Sequence, residues 1–163
     1  MRKLLSVLLI VASLSSFAQD YKVPVYKFGN GTDYSKYNAE IIKCITWIES
    51  NPSDIESKNA ATQFFVEWLT GTPDVSVEMS SAILKFNQEN SDLLMAFMFG
   101  WTKYALQTPG AAEDKIKLNA AALRNVIRVY KKTSYRDPEI DKLATLDKDG
   151  KLETWVKDQL KIK

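Results

Sequence analysis

Along most of the chain, apolar residues recur three and four positions apart, and short polar, glycine- or proline-containing breaks divide them into segments. From residue 35 onward this period predicts helices and no convincing internal strand. Helix one spans about 35–50 and places Ile41, Cys44, Ile45 and Ile48 on one face, with Asn51-Pro52 ending it. Ser53-Asp54-Ile55-Glu56 reads as a capping box. Helix two then runs to about Thr70, with Ala61, Phe64, Phe65, Trp68 and Leu69 inward. Gly71 is expected to supply a left-handed stop and Pro73 to block continuation. Helix three is expected over about 75–87, carrying Val75, Met79, Ala82, Ile83 and Phe86. Ser91 should cap helix four, about 92–107, and Thr108-Pro109-Gly110 breaks the chain after it. Helix five, about 112–132, has Ile116, Ala120, Leu123, Ile127 and Tyr130 on its inner face. Asp137-Pro138-Glu139 opens helix six, which runs to about Leu146. Helix seven, about 151–161, turns Leu152, Trp155, Val156 and Leu160 inward.

The stretch LLMAFMFGW, residues 93–101, is apolar on nearly every side. Its helix would be ~21 Å long, short of a ~30 Å bilayer core. A helix of this kind is surrounded by other helices, so helix four is expected at the centre of the domain. Gly100 costs about 1 kcal/mol in a helix interior, which suggests that it lets a neighbour approach closely. Short connections favour antiparallel hairpins. The expected fold is all-α, a compact bundle of about six to seven antiparallel helices. Stacked hairpins of tetratricopeptide type are the alternative, cued only by Gly100-Trp101 and Tyr104-Ala105, with no second copy at a fixed period.

The beginning of the chain follows other rules. Arg2 and Lys3 precede an apolar run from Leu4 to Leu14, and Ser16-Phe17-Ala18 offers small residues at a cleavage site. This predicts a secretory signal peptide over 1–18. Residues 19–34 contain Pro24, Gly29 and Gly31 and predict an extended N-terminal arm, with Asn30-Gly31 as a turn. Residues 35–163 would then be a single α-helical domain.

Composition narrows the function classes. Cleavage after Ala18 would leave 145 of the 163 residues, and loss of Arg2 and Lys3 takes the formal charge from +2 to zero. A neutral chain is a poor nucleic-acid binder, because that affinity rests on phosphate neutralisation. There is no histidine, which removes the commonest acid/base residue and most zinc and copper sites. Cys44 stands alone and reads as a buried structural thiol. No cofactor motif is found, and no transmembrane span is expected after cleavage.

Three constellations are worth weighing. Lys117, Arg124, Arg128 and Lys131 form a basic stripe on helix five, opposite its apolar face, with Lys132 and Arg136 beside it. Such a stripe suits either a solvated face or an anionic partner. Thr145 to Glu153, TLDKDGKLE, resembles a calcium loop through Asp147, Asp149 and Glu153. It lacks the first-position Asp and the twelfth-position Glu, so a polar turn with Gly150 at positive φ is expected. Trp47 lies off the main stripe of helix one and, with Tyr34 and Tyr37, offers an aromatic patch; filling a gap beneath the arm is its commoner use. Glu40, Glu49, Glu67, Glu78 and Glu89 are scattered over the chain, and none is singled out.

FFVEWLTGTPDVSVE, FMFGWTKYAL and KLATLDKDGKLETWV together resemble small exported all-helical bacterial proteins without assigned activity. The resemblance implies the fold and no catalytic residue. The expectation is a non-enzymatic interaction or accessory protein, periplasmic or secreted from a Gram-negative bacterium, with an envelope protein or anionic glycan as partner. A carboxylate-based hydrolase acting on polysaccharide or peptidoglycan is the alternative.

Overall fold

The computed structural model describes residues 21–51, 55–86 and 90–162. The predicted signal peptide and the Ser53-Asp54 part of the capping box lie outside the described residues. The architecture is all-helical, with seven α-helices and no strand among the described residues.

Asn30 starts the first helix. Its side chain accepts from the Thr32 amide while Asp33 reaches back to the Asn30 amide, a reciprocal cap. The turn expected at Asn30-Gly31 is therefore the entry to a short helix, α1 (Gly31–Ser35), and the extended arm ends at Gly29. A break follows before α2 (Asn38–Ser50), which buries Ile41, Cys44, Ile45 and Ile48 as the spacing predicts. Opposite it runs α3 (Ile55–Gly71), with Ala61, Phe64, Phe65 and Trp68 fully buried. Gly71 does not adopt positive φ; it is small because the Tyr34 ring lies where a side chain would stand.

The helix expected over 75–87 does not form. Residues 72–80 carry no regular structure, and a turn at Ser80–Ile83 follows. The physical reason lies in the local sequence. Val75 and Val77 are β-branched, and the Ser80 hydroxyl accepts from the Ala82 amide, offering the backbone an alternative to a helix. Val75, Ile83 and Phe86 still reach the core, whereas Met79 is 46% exposed, contrary to its expected inward position.

Asn90, one residue earlier than expected, caps α4 (Ser91–Gln107) by accepting from the Leu93 amide. None of residues 93–102 is exposed. Each large side chain buried there contributes roughly 1.5–3 kcal/mol. A single 3-10 turn, Ala111–Glu113, leads to α5 (Lys115–Tyr130), whose N-terminus is capped by Asp114. α5, not α4, has the most neighbours: it packs on α4, α6 and α7. Its inner face holds Leu118, Ala122 and Val126 in addition to the expected Ala120, Leu123, Ile127 and Tyr130, while Ile116 is only half-buried.

α4 and α5 touch most closely at Gly100. A Cβ there would stand 2.6 Å from Asn125 Cβ, 2.8 Å from the Ala121 carbonyl oxygen and 2.9 Å from Ala122 Cα. Asn125 crosses this contact and donates to the Ala96 carbonyl at 2.7 Å. Asp137 accepts from the Glu139 and Ile140 amides to start α6 (Pro138–Lys148). α6 ends on Gly150 at φ +69°, with the Lys151 amide reaching the Leu146 carbonyl and the Gly150 amide that of Asp147. α7 (Leu152–Leu160) closes the chain on α5 and α6.

The arm lies against α2 and α3 by side chains. Tyr26 and Phe28 contact the Phe64 ring, and Phe28 stacks on Tyr34 at 4.5 Å between centroids. Tyr37 Oη donates to the Val25 carbonyl at 3.4 Å, while Val25 itself is fully exposed.

Candidate functional site

The close approach at Gly100 leaves a shallow groove of about 350 Å³ between α4 and α5, floored by Gly100 and Ala121. Lys103, Tyr104 and Gln107 line it from α4, and Arg124, Asn125 and Arg128 from α5. Helical spacing sets this arrangement, because residues 121, 124, 125 and 128 share one face of α5 and 100, 103, 104 and 107 one face of α4.

Glu49 anchors one end of the groove. Only 7% of its side chain is exposed. Arg128 Nη2 meets its Oε1 at 2.6 Å, Asn125 Nδ2 donates to the same oxygen at 2.9 Å, and Lys103 Nζ lies 3.4 Å from Oε2. Arg128 also donates through Nε and Nη2 to Asn125 Oδ1, at 3.2 and 2.5 Å. One buried carboxylate thus holds two cations from two helices, and the amide between them is fixed at both ends. A buried charge is tolerated when it is paired and hydrogen-bonded in this way.

Arg124 anchors the other end. Its Nε donates to Asp147 Oδ1 at 2.7 Å and its Nη2 to Glu153 Oε1 at 3.2 Å. Burial alone would lower its affinity for the proton, but the two carboxylates outweigh that and hold the guanidinium above its ordinary value. Nη1 of Arg124 and Nη1 of Arg128 have no acceptor among the described residues. Those two donors remain available to a ligand.

The predicted stripe is thus divided by its partners. Lys117 pairs with Asp114 at 3.1 Å, which holds its ammonium above the ordinary lysine range, and lies seven residues before Arg124. Lys131 is exposed, just past α5. The calcium-like loop supplies its acids to the same stripe: Asp147 and Glu153 bind the Arg124 guanidinium, and Asp149 is exposed at the end of α6. No cluster of three or more metal-ligating side chains occurs among the described residues. Lys103 and Asn125 escape a reading of the sequence, because their role depends on which helix faces α5.

Trp47 stands apart from the groove. The Tyr21 ring of the arm lies 5.7 Å from it, so Trp47 fills a gap beneath the arm, and Tyr34 and Tyr37 pack on Phe28. Nearby, Cys44 is buried and donates to the Ala61 carbonyl at 3.2 Å. Burial pushes its thiol up to about 12, the neighbouring Tyr21 hydroxyl pulling down and Glu40 pushing up.

The described glutamates are occupied separately. Glu40 pairs with Lys43, Glu67 accepts from Gln63, and Glu78 pairs with Lys115 at 2.8 Å. Glu89 lies outside the described residues. None of the described helices is long and apolar enough to cross a membrane. Comparison with known protein families, with curated proteins and with solved structures finds no match to this chain.

Proposed function

We propose that the protein is an exported, non-enzymatic accessory protein of a bacterial cell envelope that recognises an acidic glycan in the α4/α5 groove. One observation carries the reading: Lys103, Arg124 and Arg128, from two helices, meet over the Gly100 contact. Glu49, Asp147 and Glu153 hold the two guanidinium groups, and Nη1 of each arginine has no acceptor among the described residues. Preorganised donors of this kind suit carboxylate or sulfate groups. The groove is open and shallow, which fits a polymer passing through better than a small molecule enclosed. Tyr104 adds an aromatic edge on which a sugar face can rest. An acidic face of an envelope protein would meet the same donors. The hydrolase alternative draws no support from Glu40, Glu49, Glu67 or Glu78, since both oxygens of Glu49 are engaged and the other three are held by separate partners.

Salt-dependent retention on an immobilised acidic polysaccharide tests the reading. The parent protein should be retained at low salt and elute as salt rises. Arg124→Gln should elute at clearly lower salt, whereas Lys131→Gln, which removes the same charge outside the groove, should elute close to the parent. Equal retention of the parent and Arg124→Gln would overturn the assignment. Export is tested separately by N-terminal sequencing of the protein from the envelope fraction, which should begin at Gln19.

A further inference from the structure

Glu49 also lines a second and deeper recess, of about 470 Å³, where the end of α2, the first half of α3, the start of α4 and the end of α5 come together. Its size falls within the ~300–1,000 Å³ range of small-molecule sites. Met95 and Val129, both half-buried, line it together with the edges of Ile48, Leu93, Ala96 and Phe99, giving it an apolar floor. Lys58 of α3 and Lys132, just past α5, stand at the rim. Neither lysine has an ion-pair partner among the described residues.

The charge around this recess is uneven. Among the described residues two carboxylates line it, Glu49 and Asp92. Glu49 is already held by Lys103 and Arg128. That leaves Asp92 against two lysines, one from α3 and one just past α5, that have no ion-pair partner among the described residues. An apolar floor beneath a cationic rim is complementary to a molecule with a hydrocarbon body and an anionic head. A purely apolar guest would leave the rim unsatisfied, and a polar anion would leave the floor wet.

We infer that this recess binds a small amphiphilic carboxylic acid, its aliphatic chain on Met95, Val129 and the edges of Leu93 and Phe99 and its carboxylate held by Lys58 and Lys132. The site is separate from the α4/α5 groove, and its occupancy does not depend on the glycan reading.

Isothermal titration of the purified protein with decanoate, decanol and decyltrimethylammonium, each below its aggregation threshold, tests the inference. Decanoate should bind saturably at one site, and the cationic analogue should bind at least about tenfold more weakly. Lys58→Gln with Lys132→Gln should weaken decanoate by about tenfold and leave decanol unchanged. Thr62→Trp, which fills the recess from α3, should abolish binding of both, with the helical circular dichroism retained. Arg124→Gln should leave decanoate binding unaltered, which separates this result from any failure of the groove. The inference is overturned if decanoate does not saturate, if the cationic amphiphile binds equally well, or if the lysine pair can be neutralised without effect. A preference for the free C-terminus of a hydrophobic peptide over decanoate would also overturn it.

Discussion

Gly100→Ala separates two opposed physical expectations. In an isolated helix the change adds about 1 kcal/mol of stability, because glycine is a poor helix former. Here the added methyl would stand 2.6 Å from Asn125 Cβ, 2.8 Å from the Ala121 carbonyl oxygen and 2.9 Å from Ala122 Cα. None of these atoms is the far end of a flexible side chain, so α4 and α5 must move apart. Overpacking of this kind costs about 1–3 kcal/mol. Separation also stretches the 2.7 Å bond from Asn125 to the Ala96 carbonyl and the 2.9 Å bond to Glu49. Leaving such buried groups unpaired costs about 1–3 kcal/mol more. The net expectation is a loss of about 1–5 kcal/mol, read as a fall in Tm of about 3 °C for each kcal/mol. Thermal melting followed by circular dichroism measures it. Gly71→Ala is the comparison, because the atoms it meets belong to one side chain, the Tyr34 ring stacked on Phe28, so that it disturbs the arm and leaves the α4/α5 contact intact. A Tm for Gly100→Ala equal to or above that of the parent would refute the argument that the two helices touch at this residue.

Phe97 is fully buried and packs on Trp101 with ring centroids 6.0 Å apart; Phe97→Ala should cost about 3–5 kcal/mol in urea unfolding, and Phe97→Asp should give no folded protein. The Cys44 thiol should hold its proton to about 12 in the folded chain and lose it near its ordinary 9.0 when unfolded. The folded state therefore binds the extra proton, so this contribution is complete below pH 9 and declines as pH rises from 9 to 12. Stability of the parent relative to Cys44→Ala, measured across that range, should fall accordingly. Arg124 is 45% exposed and its two ion pairs face water; Arg124→Gln should change stability by less than about 1 kcal/mol, less still at high salt.

Helix existence was legible wherever a long three-four period carried its own ends. α2 shows its buried face in Ile41, Cys44, Ile45 and Ile48, and α6 its start in Asp137-Pro138. The failure at 75–87 is instructive. VSVEMS alternates, with Val75 buried, Ser76 exposed, Val77 half-buried and Glu78 exposed, which is the two-residue period of an extended chain. The wider spacing of Val75, Met79, Ala82 and Phe86 imitated a helix that the serines do not support. Gly71 reads locally as a left-handed helix stop, whereas its constraint is the Tyr34 ring, a contact made across 37 residues. Similarly, the stripe on α5 was visible as charge, but its partners Glu49, Asp147 and Glu153 come from α2, α6 and α7. Period and composition identify a face; only packing identifies what lies against it.

The meeting of α2 with α4 divides the molecule along a seam. On one side stand the arm and α1 to α3; on the other, α4 to α7 are bound tightly around α5. The segment 72–86 bridges the two sides, tied down by Glu78 to Lys115. The core is continuous across this seam, through Phe65 and Phe99 among others, but α4 and α5 are bound to each other more extensively than either is to α2, so the seam should part before either side loses its own helices. Amide protons in α2 should then exchange through smaller openings than those of α5. Both the Glu49 network and the deeper recess straddle that seam, so a molecule lodged there would act as a staple. It would slow the parting of the two sides more than it slowed the fraying of either.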